Sequence, residues 1–173
     1  MVKVTRLLVI MGVFSVGSMV PALANAYVTS KGAQFLKIAD AWVVAPDGTR
    51  WSNNQGQFSN QGPSNQDRLV SDSAATRACN KIAAKLPTVE QYENLKKYFE
   101  LDSNGYLTER GRKDMIEVFP DMKKPDGFFG WFWSSSVHQY NSQAAYTFLG
   151  LDGDFNIFFR EVDEFFVRCV SSY

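Results

Sequence analysis

The chain is poor in the residue types that most often carry catalysis or bind metals. It contains two cysteines and a single histidine in 173 residues. That histidine, His138, follows Ser134, Ser135 and Ser136, but a Ser–His pair also needs a third orienting group and an oxyanion hole. The sequence marks neither of these, so we expect a non-catalytic protein in which His138 has a structural or surface role.

The chain also has no excess of charge, since 18 basic residues balance 18 acidic ones. Proteins that bind nucleic acid usually cluster Lys and Arg to face the phosphates. The balance therefore argues against nucleic acid as a partner, and equally against electrostatic docking on anionic lipid.

No apolar run beyond residue 20 is long enough to span a bilayer. The first 26 residues instead have the three parts of a secretory signal: Lys3 and Arg6, an uncharged apolar stretch over 7–20, and a small-x-small pattern ending at Ala26. We expect cleavage after Ala26 and a single mature domain over 27–173. Loss of the two cations leaves 16 basic against 18 acidic residues, a formal charge of −2. The mature chain is then exported to the periplasm, the cell surface or the medium.

Cys79 and Cys169 both lie in the exported part of the chain. An even pair of cysteines in an oxidising compartment favours a disulfide. A metal site would need more soft or imidazole ligands than one histidine supplies. A catalytic thiol would need a partner histidine and no second cysteine to oxidise it. The structural disulfide is the favoured interpretation.

The first part of the mature chain has the pattern of strands and loops. Residues 41–44 form a β-prone run, Pro46-Asp47-Gly48 is a turn signal, and residues 49–51 can return as a second strand. Residues 53–66 are rich in Asn, Gln, Ser and Gly and have almost nothing to bury. We expect this stretch to be an exposed loop.

A helical part follows. Ser73 is placed to cap a helix whose buried face holds Ala75, Cys79, Ile82 and Ala83. Thr88 and Gln91 form a capping box for a second helix, and a shorter third helix is predicted after Thr108. The expected core contacts of the second and third helices are Val89, Tyr92, Leu95, Phe99, Ile116 and Phe119.

The last part is predicted to be antiparallel β structure. An aromatic run over 127–136 precedes strands at 144–149 and 155–159, which flank the hairpin signal Asp152-Gly153. A last strand over 165–170 would carry Cys169. Strands, then two or three short helices, then antiparallel strands make an α+β fold, with one disulfide from the first helix to the last strand.

Several short motifs occur in a characteristic order: Ala78-Cys79, Lys85-Leu86-Pro87-Thr88, residues 131–136 (WFWSSS) and residues 166–170 (FVRCV). In this order they resemble the bacterial domain of unknown function found at the C-terminus of collagen-like adhesins, the Lcl C-terminal domain family. The resemblance covers most of the mature chain, although the collagen-like Gly-X-Y stalk is missing. It implies a C-type-lectin-like fold, distantly similar to the domain of formylglycine-generating enzymes, and a Cys79–Cys169 disulfide.

The resemblance also implies a function in recognition. In collagen-like adhesins the domain is associated with binding of host glycosaminoglycans, and loops of C-type-lectin-like folds carry recognition. We therefore predict an exported adhesion module that binds a glycan or a protein. A structural role in an envelope or secretion assembly, and an enzyme of the formylglycine-generating type, are the alternatives. The predicted ligand contacts are Trp133, Ser136, His138, Tyr140, Asn141, Asp152, Asp154 and Asn156.

Calcium is the one cofactor that the sequence suggests. Asp152, Asp154 and Asn156 offer oxygen ligands of the kind that calcium takes. The alternative is an ordinary Asp-Gly hairpin with solvated acids. The latter is favoured, because calcium needs six or more ligands, so we expect no bound cofactor.

Overall fold

The computed structural model describes residues 25–38, 42–60, 73–123, 130–161 and 163–171. Residues 1–24 of the predicted signal and residues 61–66 of the predicted loop lie outside these ranges. The strands are β1 (Asn25–Val28), β2 (Gln34–Ile38), β3 (Trp42–Val44), β4 (Arg50–Ser52), β5 (Gln57–Ser59), β6 (Trp131–His138), β7 (Asn141–Leu149), β8 (Phe155–Phe159), β9 (Glu164–Phe166) and β10 (Val170–Ser171). The helices are α1 (Ala74–Asn80), α2 (Val89–Lys96) and α3 (Glu109–Val118). The α+β prediction is confirmed.

The first sheet has the strand order β1-β2-β3-β4-β10, with all pairs antiparallel. Its β3–β4 hairpin turns at the predicted position, and Val43 pairs with Trp51. Gly48 has a φ of +84°, in the left-handed region that glycine adopts without a steric penalty. The turn signal in the sequence therefore identified this hairpin correctly.

Each helix begins at the residue that the sequence predicted. The side chains of Ser73, Thr88 and Thr108 accept hydrogen bonds from backbone N–H groups in the first turns of α1, α2 and α3. Thr88 and Gln91 form the complete capping box. These short polar side chains satisfy donors that would otherwise have no partner at a helix start. None of the helices in the described ranges has the length and apolarity needed to cross a bilayer.

The second sheet has the order β5-β9-β6-β7-β8 and is buried on both faces at residues 132–134 of β6. Phe132 joins the main core, which also contains Trp51, Tyr92 and Phe148. Trp133 points to the opposite face, into a smaller cluster around the disulfide. Alternating aromatic side chains on one strand thus serve two separate cores.

The predicted disulfide between Cys79 and Cys169 is present and joins positions 90 residues apart. Cys169 does not lie in a strand, because the predicted strand over 165–170 is divided into β9 and β10, which belong to different sheets. Arg168 lies in the segment that connects β9 to β10. Its guanidinium is buried, pairs with Asp121 and packs 4.6 Å from the ring centroid of Phe119.

Other details of the prediction were wrong. Helix α1 ends at Asn80, so Ile82 and Ala83 lie outside it. Ile82 is half-buried and Ala83 is exposed. Val89 and Ile116 are only half-buried, whereas Met115 and Val118 form the buried face of α3. Part of the predicted loop over 53–66 forms β5, which pairs with β9. A polar segment can form an edge strand because half of its side chains remain in solvent.

Candidate functional site

Five of the predicted ligand contacts fall into two groups at opposite ends of β7. His138, Tyr140 and Asn141 lie at the β6–β7 turn, whereas Asp152 and Asp154 lie at the β7–β8 turn. Strand β7 has nine residues, so its ends are separated by about 27 Å at roughly 3.4 Å a residue. The structure therefore does not unite these side chains in one site.

Trp133 belongs to neither group, because its side chain has no exposed surface. Its indole Nε1 donates a hydrogen bond of 2.7 Å to the backbone oxygen of Phe58, and its ring lies 5.0 Å from that of Phe165. A side chain without accessible surface cannot contact a surface ligand. The prediction for Trp133 is corrected accordingly: it is a core residue.

The serine run of β6 has a structural role. Ser136 Oγ accepts a hydrogen bond of 3.1 Å from the backbone N–H of Val89, at the start of α2. Two groups of Ser135 donate to the carbonyl of Pro87: the backbone N–H, over 2.7 Å, and the side-chain hydroxyl. These bonds attach the segment before α2 to the sheet, so Ser136 holds the helix in place and its Oγ is already engaged.

The β6–β7 turn presents a group of aromatic rings, which we call the aromatic tip: His138, Tyr140 and Tyr146. The ring of His138 lies 5.8 Å from that of Tyr140 and 5.9 Å from that of Tyr146. Tyr140 is 85% exposed. Within the described residues, the buried His138 Nδ1 has no hydrogen-bond partner. Asn141 is half-buried, and its Oδ1 accepts a hydrogen bond of 3.0 Å from Gln143 N–H.

At the other end of β7, one oxygen of each predicted calcium ligand accepts a hydrogen bond from a backbone donor. Asp152 Oδ1 accepts from the N–H of Asp154 (3.0 Å), and Asp154 Oδ1 accepts from the next residue, Phe155 (2.8 Å). Asn156 Oδ1 accepts from the next residue, Ile157, over 2.8 Å. Side chains of this kind stabilise the turn and the start of β8 locally.

An internal cation also lies at this turn. Lys96 is buried, and its Nζ donates 3.0 Å to the carbonyl of Gly153 and 3.2 Å to Glu93 Oε1. The ammonium therefore places a positive charge at the turn that carries Asp152 and Asp154, where it would repel a calcium ion. In the part of the chain that is described, no three His, Cys, Asp or Glu side chains come together in a group that could hold a metal.

The structure also shows a groove that the sequence did not predict. It has a volume of about 650 Å³ and lies between α1, the first turn of α2, Ser135 of β6 and β10. This volume is within the range of small-ligand sites. We call it the α1–α2 groove, and its main polar lining residues are Asn80, Lys85, Glu90, Gln91, Ser135 and Ser171.

Backbone hydrogen bonds and the disulfide fix the walls of the α1–α2 groove. Lys85 and Val170 exchange two hydrogen bonds of 2.9 and 2.8 Å, which join the groove floor to the first sheet. Cys79 lies within the α1 wall, and its disulfide partner directly precedes Val170. The turn after α1 brings Ala83 to the rim with a φ of +54°, which is rare for a residue other than glycine.

Comparison of the chain with protein family models, with curated proteins and with solved structures finds no match. The family resemblance in the motifs therefore stays a prediction. The geometry of the aromatic tip and of the α1–α2 groove is the basis for a functional proposal.

Proposed function

We propose that the protein is an exported, non-catalytic recognition module of C-type-lectin-like type that binds a glycan at the aromatic tip. The observation that carries this proposal is the Tyr140 ring, which is 85% exposed. Aromatic rings offer a flat apolar face together with a polar edge, and tyrosine adds a hydroxyl that can hydrogen-bond. Sugars expose both kinds of surface, so an exposed tyrosine suits them as a stacking platform.

Paired strands and a neighbouring ring support this platform. Tyr140 belongs to a two-residue turn between paired strands, and His138 contacts its ring from one side. His138 in turn contacts Tyr146 in β7. A side chain held in its binding geometry loses less conformational entropy when a ligand binds.

Export is part of the proposal for two reasons. The sequence predicts a cleaved signal over 1–26, and the chain contains a disulfide between Cys79 and Cys169. Disulfides persist mainly in oxidising compartments such as the periplasm or the cell exterior.

The enzymatic alternative would require a reactive thiol. Both cysteines of the chain are joined in the disulfide, so neither is free. The geometry therefore favours binding over thiol chemistry.

One observation favours the second candidate, a structural component of an envelope assembly. Ile157 and Phe159 on the edge strand β8 are 40% and 55% exposed. Exposed apolar side chains of this kind can contact a partner. The Asp154 and Asn156 side chains, however, accept from the N–H groups of Phe155 and Ile157. In this antiparallel pair those N–H groups point away from β7, so neither is available to pair with a further strand at this edge.

A glycan panel tests the proposal. The mature chain, 27–173, would be screened against neutral and sulfated glycans, in calcium and again in chelator. We expect Tyr140→Ala to weaken binding by about tenfold or more. Tyr106→Ala is the matched control, because Tyr106 is also an exposed turn tyrosine, at 41%.

Two results would contradict the proposal. The first is the absence of binding to every glycan, and the second is an equal loss in both tyrosine variants. If no glycan binds, size-exclusion chromatography of a Phe159→Ser variant would test the assembly role, which predicts that the substitution disrupts a complex.

A further inference from the structure

We infer that the α1–α2 groove is a second, hydrogen-bonding subsite for an uncharged saccharide, so that the ligand is an extended chain reaching from the groove to Tyr140. This inference rests on the proposed function and adds a ligand class to it.

The groove offers polar groups that the fold does not use. Within the described residues, the exposed side chains of Asn80, Lys85 and Glu90 make no hydrogen bond or ion pair. Gln91 accepts from Thr88 N–H through Oε1 and, among the same residues, does not use its amide nitrogen. The groove thus presents amide, hydroxyl, ammonium and carboxylate groups, which include both donors and acceptors.

This combination of groups selects a ligand class. A saccharide hydroxyl both donates and accepts, so it can pair with each of these groups. Lys85 and Glu90 have opposite charges, so the groove gives a sulfated chain no net electrostatic gain. The described residues lining the groove include no aromatic side chain, so a flat aromatic ligand would find no stacking partner there. Neutral sugars, including those with an acetamido group, match best.

The walls are preorganised for such a ligand. The capping box fixes the first turn of α2, and the bonds from Ser135 to Pro87 fix the segment before it. The disulfide joins the α1 wall to the chain next to β10. A rigid site retains more of the interaction energy as affinity.

Strand β6 connects the α1–α2 groove to the aromatic tip. Ser135 lines the groove, and Tyr140 follows it five positions later along β6 and its turn. Three strand positions separate Ser135 from His138 of the aromatic tip, which is roughly 10 Å at 3.3 Å a residue. One sugar ring cannot contact both, whereas a chain of several sugars can.

Isothermal titration of the mature chain with N-acetylglucosamine oligomers, from the monomer to the hexamer, tests this inference, and heparin oligosaccharides give the sulfated comparison. Asn80→Ala and Glu90→Gln alter the groove, Tyr140→Ala alters the tip, and Glu117→Gln is the control for an exposed helical glutamate elsewhere. Thermal unfolding of each variant establishes that it is folded.

In the unmodified chain, we expect affinity to rise with oligomer length until both subsites are spanned. Each groove variant should weaken the longest oligomer by about three- to tenfold, which is the usual effect of one lost hydrogen bond. Glu117→Gln should have no effect.

The outcomes separate the two proposals. If Tyr140→Ala weakens binding of every oligomer but the groove variants bind like the unmodified chain, the groove inference is wrong and the proposed function stands. If heparin binds more tightly than neutral oligomers, the assigned ligand class is wrong. If no saccharide binds, the proposed function fails and the groove inference fails with it.

Discussion

Replacement of Ala83 by glycine should stabilise the protein, although most alanine-to-glycine changes destabilise. Ala83 has a φ of +54° and is exposed. Its N–H donates to the carbonyl of Asn80, and the N–H of Ala84 donates to that of Cys79, both over 3.1 Å. This pair of bonds is the Schellman motif that ends a helix, and its left-handed position is usually occupied by glycine.

The magnitude follows from two opposing contributions. A left-handed conformation costs an L-residue with a Cβ about 1–2 kcal/mol, and glycine avoids this cost. Glycine also gains about 0.4–1 kcal/mol of conformational entropy in the unfolded chain, which opposes folding. The methyl group of Ala83 is exposed, so little packing is lost. We therefore expect Ala83→Gly to raise the free energy of unfolding by about 0.5–1 kcal/mol.

Urea unfolding of the mature chain measures this change, with a higher midpoint and an unchanged slope as the expected result. Ala78→Gly is the matched control, because Ala78 is buried inside α1. Glycine at that position should cost at least about 1 kcal/mol. If Ala83→Gly lowers the midpoint as much as Ala78→Gly does, the assignment of strain to Ala83 is refuted.

Three further predictions concern stability. Joint replacement of Cys79 and Cys169 by alanine should lower the free energy of unfolding by about 4 kcal/mol, because the disulfide joins positions 90 residues apart. Urea unfolding of the disulfide-bonded chain and of the cysteine-free chain measures this difference. Burial raises the pKa of Tyr92 above its ordinary value of 10.0. Above pH 10.0, Tyr92 loses its proton in the unfolded chain but keeps it in the folded chain. The free energy of unfolding should therefore fall by about 1.4 kcal/mol for each further pH unit. Tyr92→Phe removes this contribution and should make the decline shallower by the same amount. Lys96→Met should lower the free energy of unfolding by about 1–3 kcal/mol, because the buried carbonyl of Gly153 loses its hydrogen-bond donor. Thermal unfolding measures this change.

Each of these has a result that would count against it. Equal stability of the bridged and cysteine-free chains would show that the unfolded state is already constrained. An unchanged alkaline slope in Tyr92→Phe would mean that Tyr92 titrates normally. A Lys96→Met variant as stable as the unmodified chain would show that its ammonium is not needed at the β7–β8 turn.

Several features of the fold could be read from short segments of sequence. Ser73, Thr88 and Thr108 each cap a helix, and Asp152-Gly153 marks a hairpin. A cap or a tight turn is decided by contacts within about four residues, so its pattern lies in neighbouring positions. The disulfide was predictable for a different reason, since two cysteines allow only one pairing.

Features that depend on distant partners were not predictable in the same way. The polar segment at 57–59 becomes a strand only because β9 is available to pair with it. The run over 165–170 is divided because Arg168 is buried between two sheets that no local pattern reveals. Strand pairing is chosen by the tertiary structure, and the same sequence pattern is compatible with several partners.

The same distinction applies to the candidate site. Composition and local pattern determined that this chain has aromatic side chains, helix caps, hairpins and one cysteine pair. Only the tertiary structure decided that Trp133 is buried while Tyr140 is exposed, and that Tyr140 and Asp152 lie at opposite ends of β7. It also assembled the α1–α2 groove from segments far apart in the chain. The physical reason is that burial and proximity are properties of packed elements, whereas a sequence pattern records only the preferences of neighbouring residues.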